Sequence, residues 1–314
     1  MFTNLRIKIR EFFRKYKYII ILVIIGFAIV ITVNEFFKEY KAPVIPQTLY
    51  NPNKPIISEG EEVPQEEQEP IQKLFDEYIS YCNKKEYENA YNMLSTKCKE
   101  VVYPTIEDYK RYIDAVFDQK KIYNIQNMSN IDEAYIYRVR YLNDILATGL
   151  TEGEEVWYDE DIVTVVTENE QKKLNIREYI KTDELNRVYE NEYMKIEIED
   201  RDVQYEAETY HLKISNRSEY IIVLSDFTEP NEVVIQAGGM ISSYEKEYNN
   251  KMVIKPGQTG YYTLMFDKSY DLSSKTQSMK FNKVRILKSY TGKEETKEEE
   301  LKNAEAVYSL EIDI

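Results

Sequence analysis

Apolar residues follow four successive patterns along this chain. From Tyr18 to Val33, "YIIILVIIGFAIVITV", they are continuous and uncharged. From residue 42 to residue 70 they are scattered among prolines and acids. From Leu74 to Phe117 they recur every three or four positions, and from Lys121 onward every second position. Each pattern predicts a different kind of structure.

The first run, with "NEFF" behind it, reaches the roughly 20 residues that a hydrocarbon core of about 30 Å requires. In lipid a helix satisfies its own backbone, so the run predicts a single transmembrane helix over 18–37. Arg6, Lys8, Arg10, Arg14, Lys15 and Lys17 precede it against one acid, Glu11, and Tyr16, Tyr18, Phe36 and Phe37 mark its ends. Basic flanks stay inside, so residues 1–17 are expected in the cytoplasm and residues 34–314 outside. A cleaved signal peptide would need a small-residue site, which the bulky, charged "VNEFFKEYKAP" does not offer. A buried core helix is the remaining reading, but this run is apolar on all faces and carries a basic flank.

The second pattern predicts an extended stalk over 38–70. Prolines at 43, 46, 52, 55, 64 and 70 remove backbone donors, and six glutamates from Glu59 to Glu69 repel one another.

The third pattern predicts helices. Leu74, Phe75, Tyr78, Ile79 and Cys82 form one stripe, "NKKE" interrupts it, and Tyr87, Ala90, Tyr91, Leu94 and Cys98 form another. These suit a helical hairpin whose tyrosines and cysteines pack inward. A third helix starts at Thr105, an N-cap with Asp108 three residues on, and buries Ile106, Tyr109, Ile113, Val116 and Phe117. The alternation then begins. Tyr135, Tyr137, Val139 and Tyr141 share one face of "AYIYRVRYL", and "DIVTVVTE" and "KKLNIREYI" read as further strands.

The stretch "FDEYISYCNKKEYENAYNMLSTKCKEVVYPTIEDYKRYI", followed by strands ending in "KKLNI", resembles the nuclear-transport-factor-2-like superfamily over residues 71–182. Lys173-Leu174 stand where that pattern has a tryptophan. The resemblance implies a cone-shaped domain of helices on a curved antiparallel sheet, and it implies little about chemistry. Membrane-anchored members of the superfamily are extracytoplasmic scaffold subunits of conjugative secretion machines, and the order of anchor, stalk and domain here is similar.

Residues 183–191, "DELNRVYEN", read as a short linking helix. Over 192–314, seven or so strands separated by "SNRS", "EPNE", "AGG", "KPGQTG" and "SYTGK" give the pattern of an immunoglobulin-like sandwich without its Cys…Trp…Cys set. The expected fold is therefore α+β: a single N-terminal transmembrane helix, a cone-shaped domain and an all-β sandwich.

Composition narrows the function. Hydrophobic residues make up 43% of the 314, enough for packed cores. The net charge of −15 opposes nucleic-acid binding. Cys82 and Cys98 are a candidate disulfide in an oxidising compartment. Three turns of continuous helix would hold them about 16 Å apart, so two buried free thiols are favoured unless the second helix ends near Leu94 and folds back. His211 is the only histidine and has no ligands at metal spacing. The acidic runs "EGEEVWYDEDI", "EIEDRD" and "KEETKEEE" lack the ligand ladder of a calcium loop. No nucleophile motif, metalloprotease motif or phosphate loop is present, so no cofactor and no catalysis are expected. Tyr135, Tyr137, Tyr141, Trp157 and Tyr158 are candidates to line a pocket in the first domain; the plainer reading is that they fill it as core.

The resulting expectation is a non-enzymatic, single-pass protein of the cell membrane. It would present extracytoplasmic protein-interaction domains, as in a scaffold of an envelope secretion or transfer complex. Its partners would be the membrane through Tyr18–Val33, and other envelope proteins or further copies of itself. The alternative is an extracytoplasmic small-ligand-binding or sensing protein that uses the first domain's pocket.

Overall fold

The computed structural model describes residues 63–131, 134–143, 158–268, 275–292 and 296–314. The basic tail, the apolar run, residues 38–62 of the expected stalk and Trp157 lie outside these residues.

The first helix, α1, spans Gln65–Asn83 and so begins inside the expected stalk, with Pro70 in its second turn. Burial explains the early start. Val63 and Ile71 extend the stripe of Phe75, Tyr78, Ile79 and Cys82 backwards, and the Gln68 Nε2 donates to the Val63 carbonyl at 3.0 Å. The return arm is not one helix. It splits into α2 (Tyr87–Asn92) and α3 (Thr96–Val101). Between them Leu94 forms a parallel bridge to Leu174: the Leu174 N–H donates to Met93 and the Ser95 N–H donates to Leu174, both at 3.0 Å. Ser95 then caps α3 by accepting the Cys98 N–H at 3.0 Å. Helix α4, Ile106–Val116, starts as expected, with the Thr105 side chain accepting the Asp108 N–H at 3.2 Å.

Four antiparallel strands follow: β1 (Lys121–Ile131), β2 (Ala134–Asn143), β3 (Tyr158–Glu168) and β4 (Gln171–Asn175), paired in that order. The helices cover one face of this sheet. Tyrosine is the main filler between them. Phe75 meets Tyr137 edge-on at 5.5 Å, Tyr109 packs against Tyr91 and Tyr103, and the Tyr109 hydroxyl donates to that of Tyr78 at 3.2 Å. Rings supply area while paired hydroxyls keep burial from leaving polar atoms stranded.

The expected linker is a strand. β5 runs Tyr179–Glu190, with Tyr179 in the first core and Thr182–Glu190 paired to β6 (Met194–Gln204). The alternation of "YIKTDELNRVYE" is weak because one side faces solvent, and a bulge between Glu184 and Arg187 shifts its phase. The rest is β7 (Ala207–Asn216), β8 (Ile221–Ser225), β9 (Val233–Ala237), β10 (Met240–Ser243), β11 (Met252–Ile254), β12 (Thr259–Asp267) and β13 (Thr276–Leu287). A short helix α5 (Lys297–Asn303) and β14 (Ala304–Asp313) complete it. The acids of "KEETKEEE" thus open a helix, whose capping box joins Thr296 and Glu299.

One sheet is ordered β12-β7-β6-β5. In the other, β14 pairs β13 along most of its length, while β9 and then β8 take the opposite side of β13, each followed outward by β10 or β11. Met194, Ile196, Ile198, Leu212, Ile235, Phe266, Phe281 and Ile286 belong to the core between these sheets. A smaller cluster of Ile136, Ile162, Ile180 and Val203 fills the junction between the two modules.

The α+β expectation is corrected. Strands account for 53% of the described structure and helix for 21%, so the molecule is mainly β. The helical periodicity marks real helices, but Leu94 is captured by the sheet and splits the return arm into two helices of 6 residues each. Among the described residues no helix is long and apolar enough to cross a membrane. The run over 18–37 itself lies outside them.

Phe75 is fully buried against Tyr123 and Tyr137. Phe75→Ala should lower the unfolding free energy by about 3–5 kcal/mol, read by urea denaturation. A loss under about 1 kcal/mol would show that this core is not as described.

Candidate functional site

The expected pocket residues do not converge. Tyr137 is core, packed on Phe75. Tyr135 is half-buried with the Lys172 ammonium 5.5 Å over its ring. Tyr158 is exposed, with the Arg140 guanidinium 5.2 Å from its ring. Tyr141 lines a cavity. Trp157 lies outside the described residues.

Cys82 and Cys98 are both buried and free. The helix break at Leu94 gives them separate surroundings. The Cys82 Sγ lies 3.9 Å from the Tyr109 hydroxyl, and the Cys98 Sγ accepts the Ile176 N–H at 3.5 Å. Burial pushes both thiols up to about 12, so neither is a nucleophile at neutral pH. His211 sits on β7, an inner strand, and its Nδ1 is 2.6 Å from Asp200. Among the described residues no cluster could hold a metal ion.

A cavity of about 470 Å³ opens instead between α4, β2, β3 and the turn after β4, lined by Tyr112, Tyr141, Asp159, Asp161, Arg177 and Glu178 among others. Asp161 lies at its heart. Alternation along β3 puts it on the inward face with Val163 and Val165. Its carboxylate accepts the Arg177 N–H at 2.9 and 3.2 Å and the Tyr112 hydroxyl at 3.2 Å. Burial dominates over these bonds and raises the Asp161 carboxyl to about 6. The Tyr141 hydroxyl is buried, beside Tyr112, without a well-formed hydrogen bond among the described residues, and burial drives its acidity far down.

The turn that brings Arg177 to Asp161 is strained. Arg177 and Glu178 have φ of 59° and 64°, the left-handed region that such side chains avoid. The equivalent turn between β3 and β4 has Asn169 at its first left-handed position; this one has neither asparagine nor glycine. The Tyr179 N–H closes it on the Ile176 carbonyl at 3.4 Å, and three further bonds hold it: Arg177 N–H to Asp161, Glu178 N–H to Ile162, and Tyr205 N–H to Glu178. Strain of this kind gathers at functional sites. The Arg177 guanidinium lies 5.9 Å from the Tyr112 ring and forms one wall.

A carboxylate beside aromatic faces in a half-enclosed cavity suits a cationic ligand. It can also hold a proton near neutrality. Asp161, Tyr112 and Arg177 escaped sequence reasoning, although one signal was there: in "YDEDIVTVVTE", Asp161 occupies a core-facing register position. No protein family, curated protein or solved structure matches the chain.

Because the folded value of Asp161 lies above the ordinary carboxyl value near 3.9, the folded state binds more protons between about pH 4 and pH 6. This group's contribution to stability is present below about pH 4 and is lost as pH rises to about 6. The loss amounts to roughly 2–3 kcal/mol. Urea unfolding of the Asp161→Asn variant across that window should lack this slope; a slope identical to the parent's would remove Asp161 as its source.

Proposed function

We propose that this chain is a non-enzymatic, single-pass protein of the cell membrane whose sheet-built body stands outside and associates with a second copy through an open sheet edge. The uncharged stretch Tyr18–Val33 and its basic flank support the placement. The resemblance of residues 71–182 to the nuclear-transport-factor-2-like superfamily, an order of anchor, stalk and domain similar to that of its membrane-anchored scaffold subunits, and an immunoglobulin-like reading of the sandwich support a role in assembly.

The edge of β12 carries the reading. Met265 exposes its N–H and carbonyl outward, where the Asn249 side chain bonds both at 2.9 Å and so closes the edge at that point. By the same alternation Thr259, Tyr261 and Thr263 point their backbone groups outward, and among the described residues no hydrogen bond to them is found. Edges are normally blunted by charge, yet no charged residue occurs from Thr259 to Phe266. Tyr261 is 73% exposed. Antiparallel pairing centred there sets Thr259 against the partner's Thr263 and the two Tyr261 rings side by side, a favourable cross-strand set. β10 approaches β12 and adds exposed Met240 and Ile241.

Thr263→Pro removes an outward donor without touching the bonds to β7, so the fold should survive. Sedimentation of the full chain in detergent should show a dimer for the parent and a monomer for Thr263→Pro, with unchanged thermal unfolding. A monomeric parent, or a variant that dimerises as well, would overturn the proposal.

The Asp161 cavity favours a second reading, an extracytoplasmic protein that senses a small cation. Its support is the buried Tyr141 hydroxyl, without a well-formed hydrogen bond among the described residues, beside a carboxylate raised by burial. Choline should shift amide resonances around Arg177 in the parent and leave Asp161→Asn unmoved; equal shifts in both would end this reading.

A further inference from the structure

A second cavity, about 450 Å³, lies at the junction of the two modules. Its charge is opposite to that of the chain. Among the described residues, the charged side chains that line it are Lys181, Arg187, Arg201, Lys268 and Lys275 with Asp183 and Glu208, an excess of three side-chain cations in a protein of net −15. The two acids are already engaged. Asp183 holds Arg201 at 2.6 Å and Lys181 at 3.1 Å. Buried Glu208 accepts the Tyr210 hydroxyl at 2.7 Å and the Thr276 hydroxyl at 2.8 Å, with Arg201 at 3.4 Å and Lys268 at 3.6 Å.

Among the described residues, Arg187 and Lys275 have no ion-pair partner. Arg201 is nine-tenths buried, and its Nε finds no acceptor among the described residues. A buried guanidinium donor left open is costly unless something outside the chain accepts from it. Leu185, Val203 and Ile131 form an apolar wall beside these cations. There electrostatic attraction is screened less than on an open surface.

We propose that this junction cavity binds a phosphate ester. Guanidinium groups match the paired oxygens of phosphate, and an excess of three charges accommodates a dianion without further protonation. The cavity exceeds the size of a bare phosphate, so the ester's organic part lies on the apolar wall. The site is separate from the Asp161 cavity, and it bridges β5, β6 and β7 to the start of β13.

The phosphate can come from a soluble metabolite or from a lipid headgroup, and calorimetry distinguishes them. The full chain in phosphatidylcholine nanodiscs is titrated with glycerol 3-phosphate. Binding is expected in the parent, weakened at least tenfold in the double variant Arg187→Ala, Lys275→Ala, and unchanged in Arg140→Ala. Both altered side chains are exposed, and thermal unfolding checks that the fold is intact. If nanodiscs of phosphatidylglycerol abolish the heat, the headgroup is the natural source; if they leave it, a soluble ester is. No heat with the parent, or equal heat with the double variant, overturns the proposal.

Discussion

The structure from helix α1 to β14 depends on one continuous strand. β5 begins with Tyr179 sealed in the first core, passes Ile180 through the junction cluster, and ends as the outer strand of a sandwich sheet. A strand paired over this length cannot act as a flexible tether, because bending it would break ladder bonds and expose Ile136, Ile162 and Val203. Side chains reinforce it at the crossing. The Tyr179 hydroxyl lies 2.7 Å from that of Thr182, which donates to Asp202 at 2.5 Å. The two modules are joined by packing and hydrogen bonds together, so each cavity has a fixed frame.

Charge is organised in the same local way. The sandwich buries carboxylates, but each serves as a hub. Glu232 accepts the backbone N–H groups of Asp226 and Phe227 at 2.9 and 2.7 Å, and so ties the loop after β8. Arg285, itself buried, holds Asp226 at 2.6 Å. Such pairs contribute little net stability, since desolvation offsets attraction, but breaking one partner leaves a stranded charge. The junction cavity departs from this economy. Its acids are spent on Arg201, Lys181 and Lys268, and cations remain.

Much of this could be read from the residues, and the failures have physical causes. The inward stripe of α1, the Thr105 cap of α4, the face of β2 and most sandwich strands follow from period and turn chemistry alone. Those signals are local. What failed was decided by partners distant in sequence. Leu94 leaves its helical pattern because Leu174 offers backbone bonds. Residues 183–190 are a strand because β6 lies beside them, whereas their own alternation is blurred by a bulge. The pocket residues failed for a related reason. Aromatic residues on a covered face pack by default, so tyrosine alone does not mark a cavity. An acid in an apolar register does, and Asp161 was the better guide.

The Arg177-Glu178 turn connects these observations. Its first residue gives its N–H to Asp161 in one cavity. Its second accepts from Tyr205, beside the junction, and β5 starts immediately after it. Lys181, two residues into that strand, already faces the other cavity. Two sites of opposite charge are therefore separated by one strained turn and the first residues of β5. Removing the proton from Asp161 strengthens its hold on the Arg177 N–H, because a charged acceptor bonds more tightly than a neutral one. The same bond keeps Arg177 in a conformation it would otherwise leave. The strain is thus sustained in part by the carboxylate, beside the backbone bonds that Glu178 and Tyr179 make across the same turn.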